Sequence, residues 1–204
     1  MISGSALWYA SRATGVVCLV LLSLVAILGI LVNRQGRLPG LPRFAVTGLH
    51  RNLSLLTVVF LAVHVVTAIA DGYVHIPWLS TIVPFTSGYE RFWLGLGTVA
   101  VDLVAAVIVT SLLRDRLAPS LWRAVHWLAY AAYPVTVAHS FGAAKDLRSG
   151  GLLALTVATL LAVVAAIAYR VDGALGATPR PGRVPEQLAQ TARTARTART
   201  RSLR

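Results

Sequence analysis

The sequence has 204 residues, of which 56% are hydrophobic and only 13% charged, with a mean hydropathy of +0.71. Soluble domains carry roughly 25% charged residues, so this composition excludes an ordinary water-soluble protein. The net charge of +12 could suggest nucleic-acid binding, but the basic residues collect between apolar stretches and near the C-terminus. Because that pattern is typical of the cytoplasmic side of membrane proteins, we expect membrane lipid, and no nucleic acid, as the partner of these segments.

Five stretches of the chain are apolar over about twenty residues, the length that a helix needs to cross a bilayer. They lie at residues 13–32, 49–70, 92–113, 121–141 and 151–169. A bilayer core offers no water to backbone polar groups, so each stretch is predicted to be helical. The sequence thus predicts an all-α membrane protein, with residues 1–170 forming a bundle of about five transmembrane helices.

The distribution of basic residues predicts the orientation of this bundle in the cell membrane. Arginines follow the first, third and fifth stretches more densely than the others (Arg34, Arg37, Arg43, Arg114, Arg116, Arg123 and Arg170). The positive-inside rule then puts the N-terminus outside and the C-terminus in the cytoplasm, while aromatic residues at the stretch ends, Trp122 among them, are predicted to lie in the membrane interfaces. Residues 171–204 are rich in Pro, Gly, Gln and Arg and are predicted to form a disordered basic cytoplasmic tail.

Four of the five histidines lie in two of the apolar stretches. His50 and His64 belong to the second stretch, and His126 and His139 to the fourth. Ionisable side chains are costly in a bilayer and by default mark a functional site. Two imidazoles on facing helices are the axial ligands that a b-type heme iron requires, so we predict two hemes enclosed by the bundle. The single cysteine, Cys18, leaves no C-x-x-C-H attachment motif, so both hemes would be bound noncovalently.

The spacing of the histidines predicts how they pair. On an ideal helix the fourteen residues from His50 to His64 advance about 21 Å and return to within about 40° of the same face. The thirteen residues from His126 to His139 leave those rings roughly 140° apart, so we predict an irregular helix around Tyr133 and Pro134. Both helices run outward in the predicted orientation, which pairs His50 with His126 near the cytoplasm and His64 with His139 near the outer surface.

Other residues are candidates for supporting roles in the predicted heme sites. Arg51 and Arg123 stand close to the ligands in sequence and are candidates to pair with heme propionates, with contact to lipid headgroups as the alternative. Gly15 and Gly29 are fourteen residues apart, and they either let a heme approach the backbone or serve ordinary helix packing. Asp102 is the acidic residue in mid-membrane and is predicted to face the bundle interior, with a Ser, Thr or histidine ring as its partner.

Several strings resemble the ferric reductase-like transmembrane family, which includes NADPH oxidases, ferric reductases and the heme subunit of methionine sulfoxide reductase systems. The strings are L-H-R-N-L-S-L-L-T-V-V-F-L-A-V-H (49–64), V-P-F-T-S-G-Y-E-R-F-W-L-G-L-G (83–97), T-S-L-L-R (110–114), and W-R-A-V-H-W-L-A-Y through A-H-S-F-G (122–142). The resemblance, which also covers the fourteen and thirteen spacings, implies that His50 with His126 ligates an inner heme and His64 with His139 an outer one.

The predicted function is that of an electron-transfer subunit of a ferric reductase-like oxidoreductase. The sequence shows no glycine-rich dinucleotide fingerprint, so a separate flavin-containing redox partner protein or a quinone is expected as the electron donor. An alternative from another class is a transporter, or a proton or metal path, in which the histidines titrate or bind an ion. A scaffold subunit without a cofactor is a third interpretation.

Overall fold

The computed structural model describes residues 4–33, 42–72 and 74–175. Within these ranges it contains helices and connecting segments but no strand. The helices are α1 (Gly4–Asn33), α2 (Arg43–Ala70), α3 (Arg91–Leu112), α4 (Pro119–His126), α5 (Leu128–Ala143) and α6 (Gly150–Leu175). Short 3-10 segments lie at Trp78–Thr81, Arg114–Arg116 and Lys145–Arg148. The all-α prediction is confirmed.

Four of these helices, α1, α2, α3 and α6, are long and apolar enough to cross a membrane. Together with the composition, they make the chain a multi-pass membrane protein. The predicted fourth stretch is occupied by α4 and α5, which are separated at Trp127, so α5 has only 16 residues. The count of five spans and the orientation of the termini therefore stay predictions.

The irregularity in the fourth stretch lies at Trp127, immediately after His126. The Tyr130 N–H donates to the Trp127 carbonyl at 3.0 Å, a three-residue step that winds the chain more tightly than an α-helix. In contrast, α5 continues as a helix through Pro134, so the helix is not interrupted there, and the predicted irregularity around Tyr133 and Pro134 stays a prediction. Tighter winding adds about 20° per residue, which offsets part of the mismatch that the thirteen-residue spacing creates.

Helices α1 and α2 pack against each other, α3 packs against α5, and α1 also contacts α5. A buried hydrogen bond joins the last pair, with 3.1 Å between Ser23 Oγ and Tyr133 Oη. The Ser23 hydroxyl donates its own proton to the Leu19 carbonyl at 2.7 Å, so the Tyr133 hydroxyl is the donor to Ser23. This bond fixes α5 against the middle of α1.

Removing this hydrogen bond should destabilise the helix bundle. Tyr133→Phe is expected to lower the free energy of unfolding by about 0.6 kcal/mol, and by no more than about 1.7 kcal/mol, as interhelical hydrogen bonds in membranes do. The measurement is an unfolding titration in mixed micelles of Tyr133→Phe, Ser23→Ala and the double variant, with the exposed Tyr89→Phe as control. Strictly additive effects of the two substitutions would show that the bond contributes nothing.

By its internal contacts the chain divides into two units, Met1–Ala168 and Tyr169–Arg204. Of the second unit the structure describes residues 169–175, which are helical and include the first five residues of the predicted tail. The remainder of that tail, at residues 176–204, lies outside the described residues. Arg34 and Arg37, two of the basic residues that predict the orientation, also lie outside the described residues.

Candidate functional site

Three of the four predicted histidine ligands make the same contact with a neighbouring helix. Their Nδ1 atoms lie within hydrogen-bond distance of a backbone carbonyl: His50 to Val25 at 3.0 Å, His64 to Ser11 at 2.7 Å and His139 to Trp93 at 2.8 Å. A carbonyl oxygen only accepts, so Nδ1 must carry the ring proton in each case. Each neutral ring therefore keeps the lone pair of Nε2 free, which is the form that binds a metal.

A glycine stands four residues after each of these carbonyls and makes room for the ring. A Cβ at Gly97, Gly15 or Gly29 would lie 2.7, 2.9 or 3.2 Å from Cε1 of His139, His64 or His50, respectively. Residues four apart lie above one another on a helix, so the glycine opens the helix surface beside the carbonyl. The structure thus places Gly15 and Gly29 each against an imidazole ring of α2, which agrees with the helix-packing alternative, while the approach of a heme to these glycines stays a prediction.

The close approach of α3 and α5 depends on one further glycine. A Cβ at Gly142 would collide with the indole ring of Trp93, so α5 can lie against α3 only where this residue has no side chain. The Trp93 carbonyl is the one that receives the His139 Nδ1–H. Gly142 therefore helps to bring His139 to its acceptor.

The fourth histidine, His126, lacks this arrangement. Its Nδ1 is buried without a hydrogen-bond partner, and its ring stacks on Trp122 with 5.0 Å between centroids. On α3 the residue fourteen after Gly97 is Ser111, whose hydroxyl donates to the Val107 carbonyl at 2.6 Å. By sequence spacing α3 therefore has a serine, and no glycine, at the position that corresponds to Gly97 for this fourth histidine.

The histidines form two pairs at the two ends of the bundle. His126 lies within electrostatic range of His50, and His139 lies within electrostatic range of His64. These are the pairs that the sequence predicts, although their role as iron ligands stays a prediction. In the described part of the chain no group of three or more His, Cys, Asp or Glu side chains could hold a metal ion, which leaves pairs of histidines as the candidates.

A second buried nitrogen without a hydrogen-bond partner lies beside His126. The indole Nε1–H of Trp122 is buried and makes no hydrogen bond. A Trp side chain that only lies in a membrane interface would expose this N–H to water, so the predicted interfacial position does not explain the burial. The Arg114 guanidinium lies 4.6 Å from the centroid of the Trp122 ring. By comparison, Arg51 and Arg123 are exposed and form no ion pair within the described residues. An N–H donor and a nearby cation together suit a carboxylate.

Asp102 does not join either pair. It is exposed on α3, and the histidine rings that have hydrogen bonds donate to backbone carbonyls. The prediction that Asp102 faces the bundle interior is therefore wrong. His75 is exposed in the segment after α2, away from both pairs in sequence.

Sequence reasoning missed Gly97, the backbone acceptors and the buried nitrogen of Trp122. Every residue has a backbone carbonyl, so the sequence does not show which carbonyl accepts a hydrogen bond. The glycine that gives the histidine ring access to that carbonyl is visible in the sequence. The signal available was the position of Gly97 near the start of α3, opposite the His139 end of α5, as Gly15 is opposite His64.

A comparison with known families gives an independent result. The family model described as ferric reductase like transmembrane component matches residues 14–137, more than half of the chain. The match includes His50, His64 and His126 and ends two residues before His139. No curated protein and no solved structure matches the chain. With the family model covering α2, α3 and α4, the chain belongs to the ferric reductase-like transmembrane family.

Proposed function

We propose that this protein is a transmembrane b-type cytochrome that passes electrons across the membrane as a subunit of an oxidoreductase. It holds two noncovalent hemes, one between His50 and His126 and one between His64 and His139. Family membership supports the coarser statement, a transmembrane oxidoreductase component. The proposal of two hemes is supported by an arrangement that occurs three times, in which a histidine ring donates to a backbone carbonyl and lies against a glycine.

This arrangement suits a ligand better than a titrating group. Histidines that bind metals commonly donate the other ring N–H to a carbonyl or carboxylate, which fixes the tautomer and the ring plane. A proton path instead needs a ring that exchanges protons at both nitrogens. Here the Nδ1–H of three rings donates to a backbone carbonyl, and each of these rings also lies against a glycine. Both contacts restrict rotation of the ring, so Nε2 points in a fixed direction.

The depth of the two pairs also suits an electron path. Along α2 the two histidines are separated by about 21 Å, so one pair serves each half of a bilayer about 30 Å thick. When bound, heme supplies a one-electron redox centre whose potential depends on its ligands and their hydrogen bonds. The chain's contribution is to orient the rings, exclude water with apolar helices and hold two centres within the membrane.

The residues at the His50 and His126 end fit the propionates of a heme. The buried Nε1–H of Trp122 lacks an acceptor, and Trp122 precedes His126 by one helical turn at the start of α4. A propionate directed toward that end of the helix would receive this N–H and the charge of Arg114. Arg51 and Arg123, which the sequence offers for the same role, remain candidates. Comparing the heme loss rates of variants at all four residues shows which of them contact the propionates.

Trp122→Phe keeps the aromatic ring and removes only the donor. A hydrogen bond to a charged group contributes about 1.5–3 kcal/mol, so we expect heme to leave one of the two sites about tenfold faster or more. Heme loss to excess apomyoglobin measures this rate for Trp122→Phe and Arg114→Gln, with Arg51→Gln and Arg123→Gln compared in parallel. An effect confined to the last two variants would move the propionate contact to Arg51 and Arg123.

The electron donor in this proposal is another molecule, a flavin-containing protein or a membrane quinol. Since the sequence carries no dinucleotide fingerprint, NADPH alone should not reduce the purified protein. The acceptor on the opposite side is ferric iron, dioxygen or a redox protein.

The experiment that tests electron transfer uses the protein in sealed vesicles with ferricyanide trapped inside. Dithionite added outside should bleach the trapped ferricyanide in vesicles with the wild-type protein and fail to do so with His64→Ala or with empty vesicles. Proton or metal-ion flux without electron transfer would overturn the proposal in favour of the transport alternative. Vesicles permeable to ferricyanide are recognised beforehand by leakage in the empty control.

A further inference from the structure

We propose that the exposed face of α3 around Asp102 binds a transmembrane helix of another protein, one that carries a lysine or arginine in the middle of the bilayer. The inference starts from an ionisable side chain at an unusual place. Asp102 is exposed, and no residue in the described part of the chain forms a hydrogen bond or ion pair with its carboxylate. It does not depend on heme binding.

Asp102 lies at the centre of a predicted membrane span. It is eleven residues after Arg91 and ten before Leu112, the ends of α3. At about 1.5 Å per residue, each end of the helix is roughly 15 Å away, which is half the thickness of the hydrocarbon core. Carboxylates at this depth are rare, and those that occur face a partner, a cavity or a bundle interior.

The histidine sites do not cover this carboxylate. Gly97 marks the side of α3 that meets His139, and five residues further along an ideal helix lie about 140° around from it. The exposed residues Asp102, Ala105, Val109 and Leu112 form a stripe along the other side. Spacings of three and four residues are those of a helix-packing seam, and the small Ala105 beside Asp102 permits close approach of another helix.

Charge complementarity decides which kind of helix fits this stripe. A second copy of the chain, related by an axis along the membrane normal, would place Asp102 against its own counterpart. Two ionised carboxylates repel each other strongly where the dielectric constant is low, so such a pair would have to take up a proton before it could form. The basic residue that α3 contains is Arg91, at its end, so α3 cannot supply the complementary charge at this depth. A lysine or arginine at mid-span of a different protein would neutralise Asp102 and share the cost of burial.

A synthetic peptide can represent such a partner. The probes are two transmembrane peptides of leucine and alanine, identical except for lysine or leucine at the central position. Their association with the full-length protein in liposomes is measured by energy transfer between a dye on the peptide and a dye on the protein. We expect the lysine peptide to bind wild-type protein at least about tenfold more tightly than the leucine peptide.

The variants make the result specific to the Asp102 stripe. Asp102→Leu should abolish the preference for the lysine peptide and Asp102→Asn should reduce it, while Asp115→Asn, an acidic residue beyond the end of α3, should retain it. Equal binding of both peptides to wild type, or an unchanged preference in Asp102→Leu, would overturn the proposal. So would self-association of wild-type protein that Asp102→Leu removes, because the occupant would then be a second copy. Helical circular dichroism confirms that each variant is folded.

Discussion

Replacing His64 or His139 with alanine is expected to remove one heme per chain and leave the other in place. Replacing His50 or His126 should remove the second heme instead. The reason is geometric, since each histidine lies within electrostatic range of one histidine on the other histidine-bearing segment, and the two histidines along either segment are about 20 Å apart. The measurement is heme per chain by pyridine hemochrome, with His75→Ala as the control that retains both hemes.

Double variants test the pairing itself. His64→Ala combined with His139→Ala disrupts one site and should still leave one heme per chain. His64→Ala combined with His126→Ala disrupts both sites and should leave none. If these two double variants showed the reverse pattern, the pairing by depth would be wrong even though the protein binds heme.

Adding one methyl group at the glycines beside the histidine rings is expected to weaken heme binding in a graded way. A Cβ at Gly97 would lie 2.7 Å from the His139 ring and one at Gly29 would lie 3.2 Å from the His50 ring. Carbon atoms in good contact are about 3.5–4.0 Å apart, so Gly97→Ala must move the ring and Gly29→Ala need move it less. Overpacking costs about 1–3 kcal/mol, which corresponds to roughly fivefold to 150-fold weaker heme retention at the affected site.

Gly48→Ala is the matched control for this series. Gly48 lies on α2 two residues before His50, and a Cβ there would meet nothing within 4 Å. Heme loss rates and low-spin electron paramagnetic resonance spectra, which report the ligand-ring orientation, should change most in Gly97→Ala and least in Gly48→Ala. Equal spectra in all three variants would show that the glycines do not position the rings.

The composition of the sequence predicted the helices, which depend on burial in lipid, and the strings around the histidines predicted the family. The apolar stretches predicted helices because a bilayer allows few alternatives, and the family resemblance carried by the strings around His50 and His126 is confirmed. The side of α3 that Asp102 occupies could not be predicted in this way. In a membrane both the lipid face and the packed face of a helix are apolar, so the sequence lacks the periodicity that distinguishes them in soluble proteins.

The tighter winding after His126 was not predicted, for a related reason. Proline is a visible breaker in sequence, but α5 accommodates Pro134, as spanning helices often do. Trp127, where the helix is interrupted, is not a residue type that breaks helices. The backbone acceptors of the histidines were similarly invisible, although the fourteen-residue spacing from Gly15 to Gly29 pointed to the two depths at which they lie.

The most direct test of heme binding at the paired histidines is the heme content of the purified wild-type protein. Protein expressed with sufficient heme should be red, show the sharp absorption bands of a reduced b-type cytochrome and contain close to two hemes per chain by pyridine hemochrome. A colourless protein under those conditions would contradict the proposed function, because the four histidines would then serve a membrane protein that carries no electrons.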